Sequence, residues 1–190
     1  MIQRIISEVR TAIDNECYIV ALMGALTLPD ICGKSAYPEL KVGARYAKWC
    51  DTYVYPTRED TDPDAENLDC GITNVNGQIV YSLRCSLLHQ GSSDIDGPKC
   101  AVEDFELLIQ PKNKFDIYVD NIGAIWANND FEHRERHMSL HIRNICRDLC
   151  NAAELYYQNH VDEFGFIKCK IAQINPDAEH PWEYSKEVSW

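Results

Sequence analysis

Arg84 and His89 are the two residues of this chain whose chemistry packing explains least. They sit in Tyr81-Ser82-Leu83-Arg84-Cys85-Ser86-Leu87-Leu88-His89-Gln90-Gly91, where apolar residues recur at helical spacing. On a wheel of about 100° per residue started at Val80, Arg84 falls between Leu87 and Leu88, inside the apolar arc. A guanidinium there loses part of its hydration, which is costly unless it is paired. It must therefore meet a carboxylate or face a cleft that uses its charge. Tyr81, Cys85 and Leu88 lie angularly between Arg84 and His89, so the pair could line the two rims of a narrow groove. An arginine grips phosphate through a planar donor set and stabilises charge developing on it. A histidine moves protons near neutral pH. The two together would suffice for metal-independent attack of a ribose 2′-OH on its neighbouring phosphate, leaving a cyclic phosphate end. The structural alternative is an Arg–carboxylate bridge with a histidine capping the helix C-terminus.

Other constellations compete. Arg136 and His141 share the Arg-x4-His spacing, but His133-Arg134-Glu135-Arg136-His137 reads as the polar start of a helix. His133, His137 and His141 recur every four residues; on a helix they would form one stripe able to hold zinc or nickel if further ligands joined them. The bland reading is a solvated face, and no metal or other cofactor is assigned. The nine cysteines include no Cys-x2-Cys pair. Cys17, Cys85, Cys146 and Cys150 sit among apolar neighbours and read as small buried hydrophobes. There is no P-loop, dinucleotide-binding glycine motif or Gly-x-Ser-x-Gly.

The elements that must position the pair follow from periodicity. Ile2, Ile5, Ile6, Val9, Ile13, Cys17 and Val20 predict one long helix from Ile2 to about Leu28, ended by Pro29 and Gly33. Tyr46, Trp49, Cys50 and Tyr53 mark a second helix, from Pro38 or Val42 to Val54. Residues 56–75 are an acidic loop. A third helix, carrying Arg84 and His89, spans Val75 to Gly91, and 94–100 form another loop. Phe105-Ile109 and Phe115-Val119 flank a Pro-Asn turn and predict a hairpin within 104–120. A last long helix runs from about Glu132 to Val161, followed by a tail over 165–190 with a short strand at Phe166–Ile171. The expected fold is mainly α: one domain over 1–190, a four- to five-helix bundle with a small β-hairpin insertion.

Bulk properties agree with that. The chain has 190 residues, 45% hydrophobic and 25% charged, enough to bury a core without staples. A net charge of -12 argues against a DNA-binding protein with a wide phosphate footprint, though not against a local positive site. No signal peptide or membrane-length apolar stretch is read, so the expectation is a cytoplasmic protein with mostly free thiols.

Arg-x4-His on an apolar helix resembles the signature of the HEPN superfamily, helical-bundle proteins many of which are RNases of toxin–antitoxin, abortive-infection and CRISPR systems. Leu28-Pro29-Asp30-Ile31-Cys32-Gly33 and the aromatic helix with Tyr46 and Trp49 add to the likeness, which covers the N-terminal half better than the rest. The resemblance implies Arg84 and His89 as the catalytic pair and Ser86, Gln90, Tyr81 and Cys85 as supporting groups. It also implies RNA or a nucleotide as ligand, a homodimer with the two motif helices facing across a two-fold axis, and an antitoxin protein as partner. Catalytic members usually carry a polar residue, often Asn, directly after the arginine. Cys85 stands there in this chain, which keeps open a non-catalytic, homodimeric interaction module.

Overall fold

The first helical run is two helices. In this computed structural model, which describes residues 1–56, 75–91, 104–109, 123–127, 134–169, 172–174 and 184–187, α1 spans Ile2–Asp14 and α2 spans Tyr18–Ala25. Glu16 breaks the run with a positive φ of 61°, a left-handed conformation that interrupts helical hydrogen bonding. The break changes the phase of the buried face. Ile2, Ile6, Val9 and Ile13 point inward on α1, but Ala21, Leu22 and Ala25 take over on α2. Cys17 and Val20, expected in the core, are exposed, and Val20 is 66% accessible.

Pro29 and Gly33 do not end a helix; they belong to α3, Leu28–Ala36. Pro29 occupies the first turn, where its missing N–H costs nothing. Gly33 lies where α3 crosses α4 (Val42–Tyr53), and a Cβ there would stand 2.9 Å from the Arg45 carbonyl oxygen. The segment Tyr18–Ala36 is long and apolar enough to cross a membrane by length and composition, contrary to the expectation of no such stretch. Here it is divided between α2 and α3, and Ala21, Leu22, Ala25, Leu26, Leu28 and Cys32 are core residues.

The motif helix begins as α5, Gly77–Cys85, and continues as a π-turn, Ser86–Gln90. Together they cover nearly the whole Val75–Gly91 span. The strands follow: β1, Asp104–Leu108; β2, Gly123–Ala127; and β3, Arg134–His141. The sheet order is β1-β3-β2, with β1 parallel and β2 antiparallel to β3. Thus the first arm of the expected hairpin is a strand, but its neighbour among the described residues is β3. Its proposed partner Phe115–Val119, like the two loops and His133, falls outside the described residues.

The last long helix starts ten residues later than expected. α6 spans Ile142–Asn159, and the preceding residues form β3. Arg, Glu and His are tolerated in helices, but Met138-Ser139-Leu140-His141 alternates with period two, and that pattern prevails. Met138 and Leu140 are fully buried, opposite Phe105 and Leu107 of β1, while Ser139 Oγ donates to Glu106 Oε2 on the other face at 2.8 Å. After a 3-10 turn at Val161–Phe164, the strand expected at Phe166–Ile171 does not form over Phe166–Cys169; β4 lies beyond it at Ala172–Ile174, paired with β5 at Tyr184–Glu187.

The result is mainly α: a helical bundle with a small β insertion. The core joins α1, α2, α3, α4, α5 and α6 with Phe105, Met138 and Leu140, and its largest fully buried side chains are Trp49 and Tyr46 of α4. Cys32, Cys50, Cys146 and Cys150 are buried within it.

Candidate functional site

Three helices build the surroundings of Arg84. α4 is the middle one, flanked by α3 and α5. Gly77 is what lets α5 approach: a Cβ there would lie 2.0 Å from the Ala47 carbonyl oxygen of α4. The start of α5 is fixed twice. Asn76 accepts from the Ile79 N–H at 3.0 Å, an N-cap, and Asp51 Oδ1 of α4 accepts from the Gly77 N–H at 2.6 Å. Ile79, Val80 and Leu83 then bury one face of α5, which sets the direction of Arg84.

Arg84 finds its carboxylate in Asp30, in the first turn of α3. Nε donates to Asp30 Oδ2 at 3.0 Å and Nη2 stands 2.8 Å from the same oxygen. Both side chains are largely covered, with exposures of 18% and 21%. Burial opposes the arginine's charge, but the Asp30 carboxylate and hydrogen bonds to Asp30 and Cys85 outweigh it, so the guanidinium's pKa is raised.

On the other side, Arg84 Nη1 lies 2.7 Å from His89 Nε2. In an uninterrupted α-helix, residues five apart diverge by about 140° around the axis. The π-turn narrows that divergence. The Gly91 N–H bonds to the Ser86 carbonyl, an i→i+5 contact, and this wider turn brings His89 beneath Arg84. Gly91 closes it at φ 65°, the left-handed conformation that glycine adopts without strain. Arginine has only donors, so His89 Nε2 must be the acceptor, and the imidazole in this contact is neutral with its proton on Nδ1. His89 itself is exposed. The constellation is therefore a carboxylate, a cation and a neutral imidazole in series, open to solvent at the imidazole end.

The remaining sequence candidates divide. Tyr81 and Cys85 belong to the cluster. Burial first, then hydrogen bonding and charge from the Cys85 thiol, push the Tyr81 hydroxyl up, while Arg84 pulls the other way. The Tyr81 ring packs on Tyr46 with centroids 5.3 Å apart, and Tyr46, fully buried, donates its hydroxyl to the Leu26 carbonyl at 3.1 Å. Ser86 is buried at 4% exposure and serves the turn through its carbonyl. Gln90 is exposed at the end of the turn. Asp30 is the member that sequence reasoning missed. Its place in Leu28-Pro29-Asp30-Ile31-Cys32-Gly33 was noted, but nothing tied it to Arg84, 54 residues away.

The competing constellations lie, as far as they are described, on a strand rather than a helix: Arg136, His137 and His141 belong to β3. Four residues along a strand separate His137 from His141 by roughly 13 Å, so the helical stripe does not form. No group of three or more His, Cys, Asp or Glu suited to a metal ion occurs among the described residues. Comparison with protein-family models, with curated proteins and with solved structures gives no match.

Proposed function

We propose that this protein is a HEPN-like, metal-independent endoribonuclease that uses Arg84 and His89, acting as a homodimer in a toxin–antitoxin or phage-defence setting. The observation that carries the reading is the 2.7 Å contact between Arg84 Nη1 and the exposed His89 Nε2, which a π-turn creates. A π-turn costs helix geometry and is often found where function demands it. In the proposed reaction His89 Nε2 takes the proton of a ribose 2′-OH. O2′ bonds to the adjacent phosphorus, the P–O5′ bond breaks, and the 5′-oxygen leaves as a hydroxyl after drawing a proton from solvent. Arg84 stabilises the charge on the phosphoryl oxygens. The products are a 2′,3′-cyclic phosphate and a 5′-hydroxyl end. Incubation of purified protein with RNA in chelator, with end-group analysis, tests this. Cyclic-phosphate ends that vanish in Arg84→Ala and His89→Ala support it, and unchanged cutting in both variants overturns it.

Two observations favour a second reading, a non-catalytic RNA- or nucleotide-binding module. Cys85 follows Arg84 where catalytic relatives of the resembled family carry a polar residue, and Arg84 is ion-paired with Asp30 as a structural arginine would be. That reading expects RNA retention without cutting, and an Arg84→Ala variant whose main defect is stability.

A further inference from the structure

The Asp30–Arg84 bridge has a geometry that stability alone does not favour. Arginine and carboxylate pair best as two parallel bonds, one to each oxygen. Here Nε and Nη2 both converge on Oδ2. Asp30 Oδ1 is buried without a hydrogen-bond partner among the described residues, and an unpaired buried acceptor carries a desolvation cost. What the arrangement achieves is orientation. With its Nε–Nη2 edge held against α3, the guanidinium presents Nη1 to His89.

We propose that Asp30 is a positioning residue: its hold on one edge of Arg84 aims Nη1 at His89 Nε2 and keeps the imidazole in the Nδ1–H form, with Nε2 ready to accept a proton. The catalytic consequence rests on the ribonuclease reading above; the positioning itself does not. The substrate class follows from the same geometry. Asp30 offsets the Arg84 charge and occupies its side edge, so the site offers Nη1 to one oxygen of a singly charged internal phosphodiester rather than a full fork to a doubly charged terminal phosphate. An incoming phosphodiester oxygen takes the place of His89 at Nη1, which releases the imidazole as the substrate arrives.

The test is nitrogen NMR of the His89 imidazole at alkaline pH, run beside cleavage kinetics on the same preparations. Wild type is expected to show Nδ1 protonated and Nε2 bare. Asp30→Asn preserves shape but loosens the grip, so the Nε2–H form, which free imidazole favours, should grow, and kcat should fall about 10²-fold with a smaller change in KM. Asp30→Glu, with its carboxylate one methylene displaced, should fall between and decides the matter if Asp30→Asn does not fold. An unchanged tautomer in the folded variants overturns the positioning claim. A shifted tautomer with unchanged kcat overturns its catalytic consequence. A wild type that cuts no RNA, with the tautomer shift present in the Asp30 variants, overturns the ribonuclease reading and leaves the positioning established.

Discussion

Arg84 and His89, five residues apart, touch at 2.7 Å because the helix widens to a π-turn between them. In α geometry the same residues would point away from each other. The spacing that looks like a sequence motif is therefore a contact only through a specific local distortion closed by Gly91. Replacing Gly91 by Ala should weaken that closure. Among the described residues beyond its chain neighbours, no heavy atom lies within 4 Å of a Cβ placed there, so the cost is conformational rather than steric. We expect a loss of about 1 kcal/mol in urea melts, with Gly91→Asn closer to wild type because asparagine tolerates the left-handed region.

Gly77 carries a steric demand instead. A Cβ 2.0 Å from the Ala47 carbonyl oxygen forces α5 off α4. Gly77→Ala should cost about 3 kcal/mol or more and lower Tm by about 6–12 °C in a domain of this size. Thermal unfolding checks it. Loss of the His89 Nδ1–H signature in the same variant would show that this crossing also aligns the site.

Arg84 and Asp30 should depend on one another for stability. Arg84→Ala leaves a largely covered carboxylate unpaired, for an expected cost of about 1–3 kcal/mol, discounted because both groups retain some exposure. Adding Asp30→Asn should recover part of that loss. A double variant as unstable as the sum of the two single variants would contradict the coupling.

The expected chain trace was right where one periodicity governs a long stretch. Tyr46, Trp49 and Cys50 of the α4 stripe are buried as their spacing requires, though Tyr53 is exposed; on the motif helix Val80 and Leu83 are buried, while Leu87 and Leu88 are half-buried. That Arg84 must meet a carboxylate or face a cleft was legible too, since an arginine in an apolar arc is costly unless paired. The carboxylate's identity was not, because the bridge joins α3 to α5 across a tertiary contact. The break at Glu16 was hidden because the apolar spacing runs on through it, and only a left-handed residue shifts its phase. The Arg- and His-rich stretch before α6 misled for the opposite reason: its charged residues fit a helix, and only the alternation at Met138–His141 betrays a strand.

Acid should weaken the fold slightly at the α1–α6 contact. Arg10 Nη2 lies 2.7 Å from Glu154 Oε2, and the hydrogen bond from Arg10 holds the Glu154 carboxyl below its ordinary range. A lowered folded-state pKa means that the contribution is present above the unfolded value and is lost as pH falls through the folded one. Both side chains are well exposed, so the effect should stay under about 1 kcal/mol. Urea melts of Glu154→Gln between neutral and acid pH should show a shallower acid limb than wild type.

The central claim is that the Arg84–His89 contact cuts RNA without a metal. The most direct measurement is the rate at which tag-free protein produces 2′,3′-cyclic phosphate ends from RNA in chelator, compared with folded Arg84→Ala and His89→Ala. Wild type should cut at a rate that chelation does not diminish, reduced at least about 10²-fold in each variant. Cutting that persists in both variants, or a folded wild type that produces no such ends, would contradict it.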